Sequence, residues 1–133
     1  MVEISKDRDR LDIPVIHAFL TESYWAKGRT IEEVQKSIVN SLCFGVYVDT
    51  VQVGFARVCT DYTVFAYVMD VFILPQYRGK GYSKSLMNEI VNDPQLQNCH
   101  TWMLKTADAH GLYKQFNFEE LNNANLVMER MIK

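Results

Sequence analysis

The sequence predicts an α+β fold with a mostly antiparallel sheet and one parallel crossover pair. Three observations predict it. Two helical patterns come before any long strand. Three strand patterns then follow with only short turns between them. After the third, the chain alternates helix, strand, helix before a final strand region, so one connection must cross over the sheet.

The elements follow in order. A weak first strand is limited to residues near Val2 to Ser5. Asp12-Ile13-Pro14 opens a helix that runs through Trp25, with Val15, Ala18 and Phe19 on one side, and Pro14 suits a first helical turn. Lys27-Gly28-Arg29 breaks it. Thr30-Ile31-Glu32-Glu33 has the form of a capping box and starts a second helix carrying Ile31, Val34 and Ile38. Phe44 to Val48 and Val53 to Val58 read as strands joined by a hairpin over Asp49-Thr50-Val51-Gln52. A third strand, about Val64 to Leu74, is apolar at most positions, which predicts a central strand covered on both faces. Lys84 to Asp93 forms an amphipathic helix that ends at Asp93-Pro94. Trp102 to Thr106 is a strand. A helix capped by Asp108 follows, with Leu112 and Phe116 on one face and Tyr113 beside them. Phe118 to Leu121 and Leu126 to Ile132 are expected to complete the sheet.

Composition narrows the function. A chain of 133 residues suits one domain, residues 1–133, and its 48% hydrophobic and 23% charged content is that of a globular protein. A net charge of −2 argues against non-specific nucleic-acid binding. Cys43, Cys59 and Cys99 are odd in number and widely spaced, so neither a metal site nor a disulfide framework is expected. Reduced thiols fit a cytoplasmic location. The N-terminus is charged, without the apolar core of a signal peptide, and no apolar run predicts a membrane segment.

The chemistry concentrates in Val71-Phe72-Ile73-Leu74-Pro75-Gln76-Tyr77-Arg78-Gly79-Lys80-Gly81-Tyr82-Ser83. A glycine loop that enters a helix presents free N–H groups where the helix dipole also favours negative charge. Arg78 and Lys80 add positive charge beside them. The pattern predicts a phosphorylated ligand held mainly by main chain. A P-loop is excluded, because Lys80 is followed by Gly81 and not by Ser or Thr. A dinucleotide fingerprint is excluded, because only Gly79 and Gly81 are present.

The stretch resembles the acetyl-CoA-binding motif of the GNAT superfamily of N-acetyltransferases, Gln/Arg-x-x-Gly-x-Gly/Ala. Arg78 takes the first position, Gly81 the glycine and Ser83 the last, where Gly or Ala is usual. Trp102 to Phe118 resembles a second block of that family, in which a helical tyrosine precedes a Gly-Phe pair. Tyr113 takes the tyrosine's place and Phe118 the phenylalanine's, while Asn117 stands where Gly is usual and can keep the left-handed conformation.

The resemblance implies a GNAT-like fold whose parallel central strands splay apart around the pantetheine arm. It implies acetyl transfer from acetyl-CoA to a primary amine, by direct attack in a ternary complex. Cofactor contacts would come from Phe72, Ile73, Arg78, Gly79, Lys80, Gly81, Tyr82 and Ser83. Tyr113 would protonate the departing thiolate. For the general base, Asp70 is the carboxylate on the strand leading to the loop, with His110 and Glu22 as further candidates. Tyr24, Trp25, Arg29 and Tyr67 are expected to line the acceptor pocket, and an aromatic pocket suits a cationic amine. The acceptor would be a small-molecule or peptide amine, and the resemblance allows a homodimer. Ser83 and Asn117 keep open a second reading, a non-catalytic acyl-CoA-binding or sensing module of the same fold. A third is a structural subunit that binds no CoA.

Overall fold

The computed structural model describes residues 1–132. Five strands form one sheet in the order β1-β2-β3-β4-β5. These are β1 Val2–Ser5, β2 Leu42–Val48, β3 Val51–Thr60, β4 Phe65–Ile73 and β5 Thr101–Leu104. Neighbours pair antiparallel except β4 and β5, which are parallel. The crossover between those two carries helix α3, Tyr82–Val91. Helices α1, Ile13–Glu22, and α2, Ile31–Val39, cover the other face, and α4, His110–Lys114, follows β5. Among the described residues no helix is long and apolar enough to cross a membrane.

Two apolar clusters sandwich the sheet. Phe44, Val46, Val58, Ala66, Val68, Leu86, Met87 and Ile90 fill the α3 side. Ile16, Leu20, Val34, Ile38, Phe55 and Phe72 fill the α1/α2 side. Each of these side chains larger than Ala66 contributes roughly 1.5–3 kcal/mol on burial. The predicted capping box is present, with Thr30 Oγ1 accepting from the Glu33 amide and Glu33 accepting from the Thr30 amide.

Strand β4 carries a β-bulge. Met69 faces Arg57 and Phe72 faces Phe55, so Asp70 and Val71 together stand opposite Ala56. Asp70 adopts φ +55, a left-handed conformation that costs a non-glycine residue on the order of 1–3 kcal/mol. Because of the bulge, Ala66 and Val68 pack on the α3 side while Phe72 packs on the α1/α2 side. Strict alternation would have put all three on one face. Pairing of β4 with β5 runs from Phe65↔Thr101 to Val68↔Leu104 and stops there. Strand β5 ends there, and the chain that follows it parts from β4, which continues to Ile73.

Four expectations are corrected. Helix α1 ends at Glu22, not Trp25, because Ser23 turns extended and its Oγ both donates to Leu20 O and accepts from the Ala26 amide. The hairpin is a two-residue turn at Asp49-Thr50, both at positive φ (51 and 69), not a four-residue connection. Asp108 does not cap α4. The N-cap is Ala109, and Thr106 Oγ1 accepts from its amide instead. Phe118 to Leu121 and Leu126 to Ile132 are not strands. The segment is irregular apart from a 3-10 turn at Ala124–Leu126, and Leu126, Met128, Met131 and Ile132 are exposed. Asn122, Asn123 and Asn125 favour turns over ladder pairing, and apolar alternation yields a strand only where an edge is there to pair with.

Candidate active site

The glycine loop is built as its sequence requires. Gly79 and Gly81 both lie at positive φ (79 and 80), and Gly81 is the N-cap of α3 in left-handed conformation. A Cβ at either would meet nothing within 4 Å, so the demand for glycine here is conformational, not spatial. The first helical bond of α3 joins the Ser85 amide to Gly81 O, and the amides from Gly79 to Lys84 donate to no backbone carbonyl among the described residues. They form a cluster of free amides at a helix N-terminus, the geometry that suits an anion. Arg78 turns back, and its Nε donates to Ile73 O at 2.9 Å, which ties the loop to the end of β4. The guanidinium therefore braces the loop. Phe72 and Ile73 are buried, at 4% and 3% exposure. Gly54 permits this, since a Cβ there would lie 2.6 Å from Ile73 Cδ1 and 2.9 Å from Phe72 O.

Where β4 and β5 diverge, a cavity of about 590 Å³ opens. Tyr24, Trp25, Arg29, Tyr67, Asp70 and Tyr113 all border it, together with Val68 to Val71 of β4, Leu104 to Ala109 at and after the end of β5, and Met131. The six side chains come from the α1–α2 connection, β4 and α4, which are distant in sequence. The α1–α2 connection is itself ordered. Gly28 N–H closes onto Thr21 O, and the Tyr24 hydroxyl accepts from the Ala107 amide across the cavity at 3.2 Å. Trp25 packs edge-on against Tyr24 and tilted against Phe19, which stacks on Phe72 at 4.1 Å.

Asp70 sits at the base of this wall with its side chain fully buried. Three donors converge on its carboxylate. Trp25 Nε1 reaches Oδ1 at 3.0 Å, while Arg29 Nη1 and Arg57 Nε reach Oδ2 at 2.6 and 2.9 Å. Arg57 also donates to Ser41 Oγ and to the sulfurs of Cys59 and Met69. Arg57 was not anticipated from the sequence. The available signal was an arginine inside the apolar strand Val53 to Val58, since a charge there must find a partner. The bulge supplies that partner by placing Asp70 beside Met69 on the Arg57 face.

Tyr113 is 9% exposed. Its hydroxyl makes no hydrogen bond to protein among the described residues. Burial, with smaller contributions from Tyr24 and Asp108, pushes it up to about 12, so it is fully protonated at neutral pH. Its orientation is set from behind. The Phe118 amide donates to Tyr113 O and the Asn117 amide to Lys114 O, a Schellman closure with Asn117 left-handed at φ 69. The Phe118 ring meets Tyr113 edge-on at 6.1 Å. His110 and Glu22 are exposed and do not border the cavity.

Comparison with known proteins accords with this layout. The model of the acetyltransferase (GNAT) domain family matches residues 40–120. A Gibberella zeae protein that carries an acetyltransferase name is 28% identical, over 83% of this chain and 74% of its own. A crystal structure of a GNAT-family protein from Xanthomonas campestris pv. campestris is 46% identical, covers 99% of this chain and 94% of its own, and superposes with a TM-score of 0.96. A Clostridium acetobutylicum protein crystallised with acetyl-CoA shares the fold, with a TM-score of 0.72 at 14% identity, over 98% of this chain and 96% of its own. The chain belongs to the GNAT family of acetyltransferases.

Proposed function

We propose that the protein transfers the acetyl group of acetyl-CoA to a primary amine by direct attack in a ternary complex. The observation that supports this best is the divergence of β4 from β5 beside the protonated, unpartnered hydroxyl of Tyr113. The amides of Gly79 to Lys84 would hold the pyrophosphate. The edge of β4 left unpaired beyond Val68 would hold the pantetheine arm as an added strand. Acetyl-CoA supplies an activated thioester, so the protein's tasks are placement and proton management.

In the transfer a C–N bond forms, the C–S bond breaks and the amine loses a proton. Tyr113, at about 12, is a weak acid against a thiol near ~8.5, so its hydroxyl chiefly donates a hydrogen bond to the departing sulfur. Asp70 suits positioning better than proton abstraction. It already accepts three hydrogen bonds, and a proton there would break its pairs with Arg29 and Arg57. On this reading the ammonium loses one proton to water before attack. The second proton, released as the C–N bond forms, passes by way of water to the departing thiolate, and kcat/KM rises with pH toward the acceptor amine's own pKa.

Calorimetric titration with acetyl-CoA, followed by thiol release over an amine panel, tests the reading. Saturable micromolar binding and acceptor-dependent thiol release are expected. Binding without turnover of any amine would favour the sensing module, and absence of binding would sink both.

A further inference from the structure

A charged cluster borders the cavity. Arg29 and Arg57 share the single carboxylate of Asp70, so the cluster keeps one net positive charge. Arg57 is enclosed, with its Nη groups engaged by Ser41, Cys59 and Met69. Arg29 is the outward member. Its side chain is 20% exposed and borders the cavity, and only Nη1 has a side-chain partner among the described residues. Nη2 and Nε remain available as a planar donor pair. Tyr113 and Asp108 border the same cavity. Lys105, which also borders the cavity, is already paired with Glu129. Tyr24, Trp25 and Tyr67 supply the cavity's aromatic lining.

We propose that the acceptor is an amine carrying an anionic group, a carboxylate or a phosphate, which Arg29 holds while the amine lies toward Tyr113. This rests on the acetyl-transfer reading above. A buried or half-buried charge is costly unless it is paired, and a guanidinium left with a free donor edge in an aromatic cavity fits a planar or tetrahedral anion. Arg29 is on this view a specificity residue, and Asp70 is the positioning residue that aims it.

Two acceptor pairs that differ in the anion provide the test: phenylalanine with phenethylamine, and phosphoethanolamine with ethanolamine. Thiol release is read at saturating acetyl-CoA. The anionic member of at least one pair should show at least about 10-fold higher kcat/KM, the worth of one charge-assisted hydrogen bond. Preference in the first pair identifies a carboxylate, and in the second a phosphate. Arg29→Gln should abolish the preference mainly through KM, and Arg29→Lys should keep part of it. Equal or reversed rates within both pairs, or faster turnover of a C-terminally amidated peptide, overturn the proposal. If acetyl-CoA does not bind, the acetyl-transfer reading fails separately. In that case, or if no amine turns over, calorimetry with 3-phenylpropionate and phenyl phosphate decides. Binding that is lost in Arg29→Gln supports the anion site, and no binding to the wild type overturns it.

Discussion

The two halves of the candidate site are made of different material. The half proposed for the cofactor is a local, backbone structure. Two left-handed glycines and the first turn of α3 present free amides within a few residues of one another. The half proposed for the acceptor is a side-chain structure gathered from the α1–α2 connection, β3, β4 and α4 around one buried carboxylate. A backbone site tolerates changes of side chain but not of φ/ψ. A side-chain site has the opposite sensitivity, because each member is held by the others.

The substitution that presses hardest on this contrast is Asp70→Asn. It leaves the guanidinium of Arg57 enclosed and without its ionic partner, and removal of one member of a buried ion pair costs about 3–5 kcal/mol. Denaturant unfolding should show a loss of that size, together with a weaker KM for the acceptor. A stability change below about 1 kcal/mol would mean the cluster is not the keystone described here. Tyr113→Phe comes next. Loss of the hydroxyl should lower kcat by about 10²-fold or more, with acetyl-CoA affinity retained in a calorimetric titration. Full activity would remove Tyr113 from the reaction.

In the cofactor half, Gly81→Ala should weaken acetyl-CoA binding and cost roughly 1–2 kcal/mol of stability, since a Cβ is disfavoured at φ +80. The side-chain deletions Lys80→Ala and Ser83→Ala should each change the acetyl-CoA Kd by less than about 5-fold, as an exposed charge or a single hydroxyl contributes little beside the amides. A larger loss in either than in Gly81→Ala would break the comparison. The smallest effect is confined to high pH. Burial raises Tyr113 to about 12 and Cys43 to about 11. Both hold their protons in the folded state where the unfolded chain has ionised, so this stability is complete below about pH 8.5 and is lost as pH rises through about 12. Chemical denaturation between pH 8 and 12 should show the decline, and Tyr113→Phe should flatten its upper part.

The same division decides what could be read in advance. Gly79, Gly81 and Asn117 were legible because a left-handed residue is a local requirement that few side chains meet. The capping box at Thr30 and Glu33 was legible for the same reason. The aromatic and basic residues Tyr24, Trp25, Arg29 and Tyr67 do border one cavity. Arg57 escaped notice because a strand pattern says which face a residue takes only where the register is regular, and the bulge at Asp70-Val71 shifts it. The bulge itself has no glycine to announce it. The C-terminal alternation from Leu126 to Ile132 suggested a strand, yet pairing needs an edge as well as a pattern, and the segment finds none among the described residues.

Sequence alone determined the glycine loop with its free amides between strand and helix, the position of the candidate tyrosine Tyr113 and the α+β order, since each follows from residues near one another in the chain. Tertiary structure decided where β4 and β5 part, that Asp70 serves two arginines, and that Arg29 keeps one edge open to the cavity. Those features depend on which distant side chains share a buried volume, and hydrogen bonds of that kind form only after the sheet has set its register.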